Sequence, residues 1–184
     1  MPDDFFEDGK WKFAFIPEFA DCIARIASLW ARLEYDVNAS IWALAELRPA
    51  LGACITAQIY TLQGHLSALL ALAKLREVDA ILIKRINKFA DDVRVGQDIR
   101  NRVIHDLWLN DRGTPGNMGH LRITADKTLK FVIESVPLFE LTAQVEKVEA
   151  LVTVFASIRK AIEAALPSLP EIPQTKLHPI TETR

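Results

Sequence analysis

Apolar residues recur every three or four positions along four long segments of this chain. That spacing places them on one face of an α-helix, and such a face is stable when it is buried against another element. The pattern predicts four helices, which cover about 17–48, 50–76, 80–107 and 137–165. Since the 184 residues are half hydrophobic and can bury one sizeable core, we expect a single all-α domain, an up-down four-helix bundle.

Two short β-strands are predicted between the third and the fourth helix. The preceding segment, 110–119, contains three glycines and a proline, which is typical of a loop. Apolar residues then cluster over 120–124 and 129–133, on either side of a turn at 125–128. We therefore expect a small β-hairpin insertion over about 119–134. Because an isolated hairpin is only marginally stable, it should lie against the helices and could form one wall of a cleft.

The two ends of the chain differ in composition from the predicted helical domain at 16–166. Residues 1–15 form an N-terminal arm that carries five large aromatic side chains: Phe5, Phe6, Trp11, Phe13 and Phe15. Exposing so many rings would be costly, so we expect the arm to pack on its own bundle or on a partner. Residues 167–184 are polar and contain four prolines, which predicts a flexible tail or one that lies on a neighbouring molecule.

Charge and cysteine content narrow the classes of function. The net charge is -2 and the pI is near 6.1, whereas a protein that binds duplex DNA through its phosphates is usually basic, so any contact with nucleic acid must be local. Cys22 and Cys54 form no C-x-x-C motif and lie among apolar residues, which predicts two buried free thiols. No apolar run reaches the roughly 18 residues of a membrane helix, and we expect a cytoplasmic protein with no membrane contact.

Charged and hydrogen-bonding side chains crowd onto residues 97–108 of the third predicted helix, which is otherwise apolar. Asn101 and His105 are four residues apart and share a helix face. Arg100 precedes His105 by five residues, about 140° and about 7.5 Å on a helix, so its side chain can reach toward the imidazole although the two are not neighbours by spacing. Three charged residues at intervals of four can pair with one another: Asp98, Arg102 and Asp106.

The segment 100–105, Arg-Asn-Arg-Val-Ile-His, resembles the Arg-x4-His motif, with a polar residue after the Arg, of the HEPN (higher eukaryotes and prokaryotes nucleotide-binding) domain superfamily. The resemblance covers these residues in identity and about 17–166 in layout. Members are all-α bundles and often dimers. Many are metal-independent ribonucleases in toxin–antitoxin, abortive-infection or CRISPR systems, and their active site forms where the motif helices of two protomers meet.

The resemblance implies a catalytic site made of Arg100, Asn101 and His105, with Arg102 as an RNA-binding residue. Metal-free RNA cleavage uses the 2′-hydroxyl as its nucleophile and needs a base, an acid and a cation near the phosphate. Histidine titrates near neutral pH, so His105 can serve as base or acid. Arg100 can hold the phosphate and Asn101 can orient either group. A symmetric homodimer would supply two histidines.

The resemblance further implies RNA as the substrate and an antitoxin or regulatory protein as a partner. Leu107 departs from one family pattern, since members that are silenced by nucleotide transfer carry the acceptor tyrosine two residues after the histidine. No metal or cofactor is expected, because no glycine-rich phosphate loop follows a strand and the four histidines are scattered: His65, His105, His120 and His178.

Two other classes of function fit the same residues. Asn101 could simply bond to His105 while Arg100 pairs with a carboxylate elsewhere. The chain would then be a non-enzymatic interaction protein that binds itself or a partner through its alanine-rich second helix and its aromatic arm. The cluster could also bind a nucleotide or RNA without cutting it. A buried His105 with an internally paired Arg100 favours the interaction protein, and an open cleft where these residues of two protomers converge favours the enzyme.

Overall fold

Five α-helices and one four-stranded antiparallel sheet make up the described part of this computed structural model, which is residues 11–12, 16–126 and 128–168, with the backbone alone described at 124–126 and 128–129. The helices are α1 (Pro17–Leu44), α2 (Pro49–Thr56), α3 (Leu62–Leu75), α4 (Ala80–His105) and α5 (Leu138–Ala165). The strands, hydrogen-bonded in chain order, are β1 (Trp11–Lys12), β2 (Leu107–Asp111), β3 (Asn117–Asp126) and β4 (Thr128–Pro137).

The prediction of an all-α four-helix bundle with one small hairpin is therefore wrong. Part of the reason is that the second predicted helix is two helices, which are separated by residues 57–61. Thr61 begins α3 as its N-cap, since its Oγ1 accepts a hydrogen bond from the Gly64 amide at 3.0 Å. Apolar residues keep their helical spacing across this break and so conceal it in the sequence: Ile55, Ile59 and Leu62.

The first and the third predicted helix correspond to α1 and α4. Both end earlier than predicted, α1 at Leu44 and α4 at His105. Glu46, just after α1, has a φ of 54°, a left-handed conformation typical of a helix C-terminus. At the end of α4, the Trp108 indole donates a 2.9 Å hydrogen bond to the Val103 carbonyl, which has no partner within the helix. Trp108, which lies in β2, thereby caps the C-terminus of α4. Its ring lies 6.2 Å from that of Phe19 in the core.

The expected hairpin is present as β3 and β4, but it is longer than 119–134 and forms half of a larger sheet. The buried carboxylate of Asp111 holds the loop between β2 and β3 in a short, tight conformation. Its Oδ1 accepts hydrogen bonds from the amides of Gly113 and Thr114, at 2.9 and 3.2 Å, and its Oδ2 accepts one from Ser135 Oγ at 3.0 Å. Five loop residues therefore suffice between β2 and β3, which frees the rest of the predicted loop to pair as strands.

The hydrophobic core lies between α1, α3, α4 and α5, and its largest fully buried side chains are aromatic: Trp30, Phe19, Phe89 and Phe155. Gly96 lies where α4 passes α5, and a Cβ there would be 2.9 Å from Leu151 Cδ1. The sequence predicts a kink or a close contact at this glycine, and the structure shows the close contact. The polar residues that follow Gly96 are thus carried on a helix that is fixed against the core.

The structure describes only part of the chain ends. Trp11 and Lys12 of the aromatic arm form β1, which pairs with β2, and a Cβ on Gly119 would collide with the Trp11 ring. Phe5, Phe6, Phe13 and Phe15 lie outside the described residues, as does the tail beyond Ser168.

The prediction of two buried thiols is correct for Cys22 and wrong for Cys54. Cys54 is exposed because α2 turns only Gly52 and Thr56 inward. Within the described ranges, no helix is both long enough and apolar enough to cross a membrane.

Candidate functional site

The last turns of α4 present four polar side chains to solvent. Asp98, Asn101, Arg102 and His105 are all exposed, and their spacing of three, one and three residues places them on one helix face. Val103, on the other side of the helix, is buried in the core. The C-terminal end of a helix carries partial negative charge, which favours cationic side chains at this place. We call these four residues, together with Arg100, the α4 polar face.

Arg100 connects the three residues that the motif implicates. Its Nη1 lies 3.1 Å from Asn101 Oδ1 and 3.2 Å from His105 Nε2. Arginine has donors and no acceptor, so both of these atoms accept hydrogen bonds. The imidazole therefore presents the lone pair of Nε2 to the guanidinium and, when neutral, carries its proton on Nδ1. Helical spacing alone did not make Arg100 and His105 neighbours, and the contact depends on the length of the arginine side chain.

In the part of the chain that the structure describes, Arg100 does not pair with a carboxylate of another element, as it would in a purely structural cluster. Among the described residues it forms no ion pair, and its hydrogen bonds go to Asn101 and His105. Its Nε is buried and has no hydrogen-bond partner in the described part of the chain. The stem of Arg100 is thus held against the protein while His105, which it contacts, is exposed.

A cleft of about 360 Å³ opens beside the α4 polar face, between α4, the sheet and the first turns of α5. We call it the α4–sheet cleft. Asp98 and Arg102 belong both to this cleft and to the polar face, so the two are continuous. The other lining residues are Val95, Ile99, Val103, Trp108, His120, Glu134, Val136, Glu140 and Gln144.

His120 is buried at this cleft and lies between two carboxylates. Its Nδ1 is 2.9 Å from Asp106 Oδ2 and its Nε2 is 3.3 Å from Glu134 Oε2. The imidazole is also 5.6 Å from the ring of Trp108, its partner on β2. The Asp106–His120–Glu134 chain therefore fixes the orientation of a half-exposed carboxylate at the cleft.

The sequence did not predict the contacts among Asp106, His120 and Glu134, because they depend on which residues of β3 and β4 pair. His120 pairs with Glu134 across the hairpin, and Asp126 pairs with Thr128. The predicted turn over 125–128 shifts every pair by one residue, which turns opposite side chains to different faces. The expected pairing of Asp98, Arg102 and Asp106 is likewise not seen in the described part of the structure, where Asp106 contacts His120.

A metal site is not evident from the arrangement of donors. Among the described residues, no group of three or more His, Cys, Asp or Glu side chains could hold a metal ion. The imidazole of His120 stands between its two carboxylates, so these three side chains do not converge on one point.

No protein-family model, curated protein or solved structure matches this chain.

Proposed function

We propose that this protein is a HEPN-like, metal-independent endoribonuclease of the toxin or defence type, which acts in the cytoplasm as a dimer with a composite site. The observation that carries the proposal is the bridge from Arg100 to Asn101 and His105 on an exposed helix face. A cation for phosphate, a titratable base and an amide for orientation thus occur together at the protein surface.

The reaction follows from these groups. An RNA phosphate is an anionic acceptor that attracts the Arg100 guanidinium more strongly than a neutral imidazole does, and its binding frees the lone pair of His105 Nε2. His105 then removes the proton of a 2′-hydroxyl, the 2′-oxygen attacks phosphorus, and the bond from phosphorus to the 5′-oxygen breaks. A protonated His105 from the second protomer supplies a proton to that 5′-oxygen. The products are a 2′,3′-cyclic phosphate and a 5′-hydroxyl.

The α4 polar face also suits a twofold dimer. It carries a carboxylate, Asp98, and two guanidiniums, Arg100 and Arg102, and none of the three forms an ion pair among the described residues. A face with charges of both signs can complement itself when two copies meet about a twofold axis, and one arginine per copy can pair with Asp98 while the other stays available. Val95 lies at the edge of this face and leaves 67% of its surface exposed, which adds an apolar contact for a second copy.

The test is cleavage of a mixed single-stranded RNA in EDTA by the wild type, His105→Ala and Arg100→Ala. Removing a catalytic base or a charge-stabilising donor typically lowers the rate by about 100-fold or more, and we expect losses of that size. Arg94→Ala is the matched control, because Arg94 is an exposed arginine of the same helix whose ion pair with Asp91 is 3.7 Å long. Circular dichroism checks that each variant is folded.

Cleavage that survives in Arg94→Ala and is lost in the two site variants supports the proposal. Equal cleavage by all four proteins, or none by the folded wild-type dimer on RNA of all four bases, would remove it. If RNA binds in the same buffer without being cut, the protein is an RNA-binding protein and not a ribonuclease. An antitoxin or regulatory partner would then control RNA binding alone.

A non-enzymatic interaction protein is the second candidate, and α2 favours it. Leu51 and Ile55 of this helix are 55% and 48% exposed, and the nearby Tyr60 is 92% exposed. An exposed apolar helix is typical of a contact surface with another protein. Leu51→Glu combined with Ile55→Glu should abolish self-association if α2 is that surface and should leave the dimer intact if the α4 polar face forms it.

A further inference from the structure

Carboxylates outnumber guanidiniums among the side chains that line the α4–sheet cleft. Three carboxylates line it: Asp98, Glu134 and Glu140. Gln144 also lines the cleft, and its Oε1 has no hydrogen-bond partner among the described residues. The carboxylates can only accept hydrogen bonds when ionised, so they favour a ligand that brings N–H groups into the cleft.

Arg102 supplies a positive charge and N–H donors to the cleft. It is exposed on α4, it lines the same cleft, and it has no ion pair within the described part of the chain. Its planar guanidinium can donate two parallel hydrogen bonds to a pair of neighbouring acceptors. A ligand that fits the cleft therefore combines adjacent N–H donors on one side with two adjacent acceptors on another.

The shape and charge of the cleft restrict that ligand further. Three carboxylates against one guanidinium disfavour a phosphate inside the cleft, so the group that enters should be neutral. Val95, Ile99 and Val136 provide apolar walls against which a flat ring can pack. The volume of about 360 Å³ is in the range of small-molecule sites and accommodates one base with its sugar.

Guanine is the RNA base that meets these conditions. It presents two neighbouring acceptors, O6 and N7, which arginine recognises with a pair of hydrogen bonds. It also presents two neighbouring donors, N1–H and the N2 amino group, which match the two oxygens of a carboxylate. Adenine has no acceptor at position 6, and cytosine and uracil lack the paired donors.

We propose that the α4–sheet cleft binds a guanine base of single-stranded RNA, with Glu134 accepting from N1 and N2 and Arg102 donating to O6 and N7. Glu134 is the carboxylate that His120 and Asp106 hold in place, so it is oriented before the base arrives. The proposal deepens the ribonuclease function and rests on it, because Arg102 and Asp98 join the cleft to the α4 polar face. A guanine in the cleft would place the adjoining phosphate on that face.

The first test measures binding without cleavage. Titration calorimetry of the full chain with 3′-GMP, 3′-IMP, 3′-AMP, 3′-CMP and 3′-UMP should show 3′-GMP binding about 10- to 100-fold more tightly than the other three common nucleotides, which is the range of one bidentate pair. 3′-IMP lacks the N2 amino group and should bind more weakly than 3′-GMP. Glu134→Gln and Arg102→Lys should each remove most of the preference, whereas Glu146→Gln, an exposed carboxylate of α5 outside the cleft, should keep it.

The second test uses an RNA that contains a single guanine among the other three bases. Cutting at that guanine by the wild type, and at no fixed position by Glu134→Gln, supports RNA as the source of the base. A preference for 3′-GMP without cleavage of any RNA would retain the guanine site and remove the ribonuclease. Equal binding of all four nucleotides, or cleavage at all bases that Glu134→Gln does not change, would overturn the guanine site while the ribonuclease stands.

Discussion

At the scale of single residues, a contact made by one long side chain determines how the motif can work. The sequence places Asn101 and His105 on a common face by spacing alone, and in the structure both are exposed. It did not place Arg100 beside His105, because five residues on a helix leave the two side chains on different sides. The guanidinium closes this separation at 3.2 Å, a distance that depends on rotamers that no periodicity encodes.

The tautomer of His105 follows from the same contact. In the neutral ring the proton should lie on Nδ1, since Nε2 accepts from Arg100. Nitrogen-15 NMR of the ring, at a pH where it is neutral, should show mainly the Nδ1–H form in the wild type and a larger Nε2–H population in Arg100→Leu. Arg94→Ala should keep the wild-type spectrum. An unchanged tautomer in Arg100→Leu would mean that the contact is absent in solution.

At the scale of elements, the sequence predicted the helices better than the places where they stop. Helical periodicity identified the segments that became α1, α3, α4 and α5 but continued through the break before Leu62, where Thr61 caps a new helix. Leu107 kept the spacing of α4 and yet lies in β2, where it pairs with Leu121 of β3. The cleft residues His120 and Glu134 depend on strand register, which a turn misplaced by one residue obscures.

The packing of α2 on α1 gives a prediction with a definite sign. In an ordinary helix interior, Gly→Ala stabilises by about 1 kcal/mol. At Gly52 a Cβ would collide with the ring of Trp42, whose indole donates a 3.2 Å hydrogen bond to Thr56 Oγ1. Overpacking of this kind usually destabilises by about 1–3 kcal/mol, so Gly52→Ala should lower the free energy of unfolding measured by urea denaturation.

The control for this prediction is the same substitution in a Trp42→Leu background. With the large ring removed, Gly52→Ala should be neutral or stabilising there. A stabilising effect of Gly52→Ala in the wild-type background would show that α2 does not pack against Trp42 as described.

At the scale of the whole molecule, composition predicted one sizeable core, and the described residues form a hydrophobic cluster between α1, α3, α4 and α5 that Trp108 and Met118 of the sheet join. It did not predict the sheet, since β2 contributes only five residues and β1 only two described ones, too few for a clear alternating pattern. The sheet supplies one wall of the α4–sheet cleft, so the helical reading alone could find the motif but not the cavity beside it.

The composite dimer site predicts how subunits behave in a mixture. If each site needs His105 from both protomers, only dimers of two wild-type subunits are active. An equal mixture of wild type and His105→Ala, allowed to exchange subunits, should then have about one quarter of the activity of wild type at the same total protein concentration. Protomers that act independently would retain about one half. Mixing with Arg94→Ala should leave the activity unchanged, and light scattering should confirm that each sample is dimeric.

The central claim is that the α4 polar face cuts RNA by attack of the 2′-hydroxyl without a metal ion. The most direct test is the chemical end group of the products formed in EDTA, identified by mass spectrometry, from a guanine-containing RNA and from the same RNA with single 2′-deoxy substitutions. The proposal predicts 2′,3′-cyclic phosphate ends from the wild type, none from folded His105→Ala, and no cut after a 2′-deoxynucleotide. Cyclic phosphate ends produced equally by His105→Ala, or cuts after 2′-deoxynucleotides, would contradict it.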